Sequence, residues 1–115
     1  MDNRIKKLLF DILKSIINID EYIGEKKEFD HYNKNSMLQD AVERNIEIIG
    51  EAMSKLLKLD TNLNISNSWR IIDARNKIIH GYDELENTQI WSIVINHMPI
   101  LKKEVEKYLN KKQWV

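Results

Sequence analysis

Apolar residues recur at intervals of three and four along most of this 115-residue chain. From Arg4 to Ile23 they fall at Ile5, Leu8, Leu9, Ile12, Leu13, Ile16, Ile19 and Ile23. That rhythm puts one continuous stripe on a long amphipathic helix. Gly24 is placed to end it. The charged stretch Glu25 to Lys34 has no clean period and reads as a connector with at most a short turn of helix. A second stripe at Leu38, Ala41, Val42, Ile48, Ile49, Ala52, Met53 and Leu56 predicts another long helix, which Asn35 or Ser36 can cap. Three glycines and one proline leave too few turn formers for an all-β chain.

The stretch from Leu59 to Asn67 is rich in Asn, Asp, Ser and Thr, whose side chains compete for backbone hydrogen bonds, and it reads as a loop. Ser68 is expected to cap a third helix running from Trp69 to about His80, with Gly81 supplying the left-handed residue after it. After the connector Asp83 to Asn87, Thr88 is expected to cap a fourth helix carrying Ile90, Trp91, Val94, Ile95, Met98, Leu101, Val105, Tyr108 and Leu109. Pro99 lacks an N–H and crowds the preceding turn, so a kink or break is expected near His97. Trp114 falls in a Lys-rich tail. The fold class that follows is all-α: a four- to five-helix antiparallel bundle, residues 1–115 forming one domain, with stripes broad enough for a helix-mediated dimer.

Eighteen basic and eighteen acidic side chains cancel, so no global field draws in nucleic acid, and any RNA contact must come from a local patch. The chain has no cysteine, hence no thiolate metal site or disulfide framework. Its longest apolar runs are three residues, against the ~20 needed to span a bilayer. Met1-Asp2-Asn3-Arg4 leads directly into amphipathic helix, so a soluble cytoplasmic protein is expected. His31, His80 and His97 are scattered, and no H-E-x-x-H or comparable spacing marks a metal site. No cofactor is expected. His31, Phe29 and Tyr32 in the connector, and His97 beside Pro99, read as structural.

Chemistry concentrates between Ala74 and Asp83, where Arg75, His80 and Tyr82 lie within eight residues. Asp73, Asn76 and His80 at i, i+3 and i+7 form a polar ridge on the third helix, with Asn76 placed one turn below the imidazole. Arg75 lies five residues from His80, about 140° around an ideal helix at ~100° per residue, so one helix does not point both at one atom. On the second helix Arg44, Glu47 and Glu51 form another polar stripe beside Gly50. Each pattern has two readings. The stripe is a solvated face with Gly50 allowing close helix contact, or one wall of an active cleft. His80 is a helix-end histidine stabilised by the C-terminal dipole, or a proton carrier working with a phosphate-binding Arg75.

Arg75-x-x-x-x-His80-x-Tyr82 resembles the R-x-x-x-x-H-x-Y signature of the HepT-like branch of the HEPN superfamily. Arg44 to Ala52 resembles the family's second-helix pattern, Trp69-Arg70-x-Ile72 its lead into the motif, and Trp91, Pro99 and Leu101 its last helix. The resemblance covers most of Met37 to Leu101 in order, with no departure at a motif position. It implies a HEPN-like homodimer whose two motifs face each other across a cleft. It further implies a metal-independent ribonuclease toxin of a type VII toxin–antitoxin pair, with Arg75 and His80 catalytic, and Asp73, Asn76, Arg44, Glu47 and Glu51 supporting. The antitoxin partner would be an MntA-like nucleotidyltransferase that transfers AMP to Tyr82. The alternative is a non-catalytic helical partner or nucleotide-binding subunit of such a transferase, which the zero net charge favours and the intact Arg75, His80 and Tyr82 disfavour.

Overall fold

The computed structural model describes residues 2–59, 62–81 and 85–111. Helices account for most of them, in the order α1 (Asn3–Ile23), α2 (Phe29–Asn33), α3 (Ser36–Leu59), α4 (Ser68–His80), α5 (Asn87–Ser92), a π-helical segment (Ile93–His97) and α6 (Met98–Lys111). No strand occurs among the described residues, and among them no helix is long and apolar enough to cross a membrane.

The two long helices begin and end where their stripes do. Asp2 caps α1 by accepting the Arg4 N–H at 2.7 Å, and Gly24 ends it with φ of 80°. Asn35 caps α3 through an Oδ1 that accepts the Leu38 N–H at 3.0 Å. Leu9, Ile12, Ile16 and Ile19 on α1 meet Val42, Ile46, Ile49, Met53 and Leu56 on α3, all at most 1% exposed. Burial at this depth is worth roughly 1.5–3 kcal/mol per side chain. The α3 stripe is corrected in one place. Ile46, on the i+4, i+3 row through Val42, Ile49 and Met53, takes the core position, while Ile48 faces outward. The pairing of Asn18 with Asn45, and of Arg4 and Lys7 with the Lys55–Leu59 end, sets α1 and α3 antiparallel. α6 packs along α1, with Lys102 3.7 Å from Asp20.

Both later caps differ from expectation. Ser68 is the first residue of α4, and Asn67 precedes it in the left-handed region, a conformation Asn tolerates, so the chain turns sharply into the helix without a side-chain cap. At α5 the cap is Glu86, whose side chain and that of Gln89 each bond the other's backbone N–H; Thr88 lies inside the first turn. The break anticipated near His97 takes the form of the π-helical segment. There the Met98 N–H reaches back to the Ile93 carbonyl, a wider turn that lets the helix continue through Pro99.

The loop before α4 is tied down by α6. The Asn64 N–H donates to the Tyr108 hydroxyl at 2.7 Å, and Ser66 donates to Glu104 through its N–H and its Oγ. The connector aromatics pack inward: the Phe29 and Tyr32 ring centroids lie 5.9 and 5.4 Å from that of Trp91. Tyr32 is fully buried, its hydroxyl has no hydrogen-bond partner among the described residues, and burial followed by the charge of Glu43 pushes its phenol above the ordinary range. His31, by contrast, stays exposed.

Candidate active site

Helix α4 lies against α3 at Gly50, and this contact positions Arg75. A Cβ added to Gly50 would collide with the Cβ of Arg75, stand 2.9 Å from its Cγ and 3.1 Å from the Ile71 carbonyl oxygen. Only the missing side chain lets α4 come this close. The base of Arg75 is therefore pressed onto the α3 backbone, and its side chain is only 27% exposed. Its Nη1 donates to Asn76 Oδ1 at 2.9 Å, and its Nη2 lies 3.8 Å from Glu51 Oε2. Nε is buried without a hydrogen-bond partner among the described residues. Glu51 also lies 3.5 Å from Lys55 and is half exposed, so it is a weak partner.

His80 is the last residue of α4 and is exposed; Gly81 follows at φ of 64° and turns the chain out of the helix. Asp73 and Asn76 lie below it on the same face, also exposed, with Asp73 Oδ2 3.3 Å from the Lys77 ammonium. Asn76 thus sits between the two halves of the motif, on the ridge of His80 but hydrogen-bonded to Arg75. Arg75 turns inward toward α3 and His80 outward at the helix end, the divergence expected from their spacing. Glu47 is half-buried and Arg44 exposed on α3. Glu51 touches the Arg75 guanidinium, which joins the α3 stripe to the motif. Tyr82 and Trp114 lie outside the described residues.

The other edge of α4 holds groups that no sequence pattern links. Arg70 Nη1 lies 2.5 Å from His97 Nε2, and its guanidinium carbon is 5.7 Å from the centre of the Trp69 ring. Arg70 donates here, so the facing imidazole nitrogen accepts with its lone pair. Burial and then the Arg70 charge accordingly lower the His97 pKa. Beside this pair a cavity of about 320 Å³ opens between α4 and α5, with Asp73, Lys77, Gln89 and Ser92 among its walls. Among the described residues no group of three or more His, Cys, Asp and Glu side chains is placed to hold a metal.

The model of the family described as "Ribonuclease HepT-like" matches residues 12–108. A protein of Methanocaldococcus jannaschii named "Putative RNase" is 33% identical over 106 residues, covering 91% of this chain and 87% of its own. A second so named from the same organism is 35% identical over 104 residues, covering 89% and 94%. "Probable ribonuclease HepT" of Thermococcus cleftensis is 33% identical over 103 residues, covering 89% and 93%. No solved structure matches. With the family model spanning most of the helical bundle and relatives above 30% identity covering nearly the whole chain, the protein belongs to the HepT-like ribonuclease family.

Proposed function

We propose that this protein is a metal-independent endoribonuclease toxin whose active site is shared between two copies of the chain. The observation that carries the reading is the seat of Arg75. Gly50 holds a permanent cation at the α3–α4 seam with one distant, half-exposed carboxylate opposing it, while an imidazole stands exposed at the end of the same helix. In a homodimer with the two motifs facing, Arg75 of one copy and His80 of the other converge on one phosphodiester. His80 takes the proton of a ribose 2′-hydroxyl, the 2′-oxygen forms a bond to phosphorus, and the bond to the 5′-oxygen breaks. That oxygen leaves with a proton from water. Arg75 holds the phosphate oxygens as charge builds on them. Asn76, Glu51, Glu47, Arg44 and Asp73 support this site, Asn76 by fixing the guanidinium plane.

In the same reading the neutralising partner is an MntA-like nucleotidyltransferase of a type VII toxin–antitoxin pair. Its attack on ATP through the phenol of Tyr82 would leave an adenylyl phosphodiester and release pyrophosphate. The added phosphate, two residues from His80, would occupy the place of substrate phosphate and compete for Arg75. The balanced charge of the chain favours a second reading, a non-catalytic partner of the transferase.

Incubating the purified protein with RNA in excess EDTA separates these readings. The wild type is expected to cut, and Arg75→Ala and His80→Ala are each expected to lose about 10²-fold or more. RNA left intact by the wild type, or cut by both variants as well as by the wild type, supports the non-catalytic reading. Intact mass after co-expression with the transferase tests Tyr82: no adduct, or an adduct that survives Tyr82→Phe, removes the switch at that residue.

A further inference from the structure

The cavity beside α4 is not needed to explain cleavage, yet it runs along the face that ends in His80. Trp69, Asp73 and His80 lie within about 40° of one another on an ideal helix, and the cavity spans the first two, ending at Lys77, one turn before the imidazole. From Asp73 to His80 the helix rises about 10 Å. The cavity's volume of about 320 Å³ lies at the small end of the range for bound small molecules, suited to one nucleotide rather than a folded segment.

Its walls carry what a base needs. Trp69 is 63% exposed, a large apolar surface at the mouth of the cavity, with the Arg70 guanidinium over its ring. Gln89 is held by its capping bond: Oε1 accepts the Glu86 N–H at 2.9 Å, which fixes the amide and leaves its NH₂ group to donate. Ser92 Oγ accepts from Asn96 at 3.2 Å and retains its own O–H. Asp73 uses one oxygen on Lys77 and keeps the other as an acceptor. Fixed donors and an acceptor read a base edge, an exposed indole stacks on a base face, and Arg70 with Lys77 suits the backbone phosphate.

We propose that this cavity is a nucleotide subsite for single-stranded RNA, taking one base stacked on Trp69 and read by Gln89, Ser92 and Asp73, beside the phosphodiester presented to His80. The subsite sets base preference. It rests on the ribonuclease reading, so its test measures binding apart from cleavage.

Labelled 2′-O-methyl nonamers of A, C and U, which cannot be cut through the 2′-oxygen, are titrated with the wild type, Trp69→Ala, Trp69→Phe and Gln89→Glu by fluorescence anisotropy. Trp69→Ala is expected to weaken binding roughly 5- to 100-fold and Trp69→Phe by no more than about threefold, the pattern of base stacking. Gln89→Glu keeps the cap acceptor but removes the amide donor, and is expected to change the ranking of the three oligomers. The subsite is refuted if the wild type binds none of them, or if Trp69→Ala changes affinity less than about twofold. It is also refuted if Trp69→Ala weakens self-association while the dimer's RNA affinity is unchanged, which makes Trp69 a subunit contact. Parallel assays on cleavable RNA distinguish the two readings. Cutting with KM unchanged in Trp69→Ala refutes the subsite alone; Trp69-dependent binding without cutting refutes the ribonuclease alone.

Discussion

The two edges of α4 are built in opposite ways. On the α3 side a glycine replaces a side chain, the backbones nearly touch, and Arg75 is confined by Gly50, Asn76 and Glu51. On the α5 side Trp69 and Arg70 stand exposed, a cavity separates the helices, and the polar contact of Arg70 with His97 crosses to the widened turn that precedes Pro99. One edge anchors the root of a cationic side chain; the other leaves room. A phosphate clamp depends on the first kind of surface, because its charge must already be oriented when the transition state forms. Recognition of a flexible strand depends on the second.

Removing the close approach is the harshest test of this contrast. Gly50→Ala would gain about 1 kcal/mol of helix propensity. The new Cβ, however, meets the root of Arg75 and the Ile71 carbonyl, neither of which can swing aside. Overpacking of this kind costs about 1–3 kcal/mol, so the net effect in urea denaturation is expected to be a loss of stability. Because the collision displaces Arg75 itself, RNA cleavage should fall about tenfold or more even where the protein remains folded. A Gly50→Ala protein with unchanged stability and activity would mean that the seam is not tight.

Next in size is Tyr32→Phe. The hydroxyl is buried and unpaired, so deleting it removes a desolvation cost of about 1–3 kcal/mol without opening a large void. Thermal melting should show equal or higher stability, and a clear loss would reveal a partner for this oxygen. Glu51→Gln is expected to act less on stability, within about 0.5 kcal/mol, because the carboxylate is half exposed and its contacts are long. Its effect should appear in binding: with the competing charge gone, affinity of Arg75 for RNA phosphate rises, by less than about tenfold in filter binding at low salt.

The smallest effect concerns His97 on the open edge. Its folded pKa lies below the ordinary value, which means that the unfolded chain takes up a proton first as pH falls. Stability from this group is therefore present above about pH 6.5 and declines below it until the lowered folded pKa is reached. Urea midpoints between pH 7.5 and 5 should fall with a steeper slope in the wild type than in His97→Gln. The difference should stay well under the ~1 kcal/mol typical of exposed charge contacts.

Much of this architecture was legible in the sequence where one residue type dominated a period. Isoleucine at three- and four-residue spacing located α1 and α3, and the missing N–H of Pro99 located the break near His97, though packing decided that the break is a π turn rather than a bend. The N-caps of α4 and α5 differ from expectation because they rest on unusual choices: a left-handed Asn67 in place of a side-chain cap, and a Glu86–Gln89 box in place of Thr88. Arg75, His80 and Gly50 were visible as candidates, and their divergence around the helix followed from residue spacing. The pairing of Arg70 with His97 was not visible, because 27 residues separate them and no periodicity connects them. Nor was the exposure of Trp69.

The claim that two copies share one site is tested most directly by complementation. Arg75→Ala and His80→Ala chains carrying different tags are co-expressed, and the doubly tagged dimer is purified and assayed on RNA in EDTA. A shared site leaves one of its two centres with both groups, so activity should return to about a tenth or more of wild type, far above either parent. A doubly tagged dimer no more active than its parents would contradict the shared site.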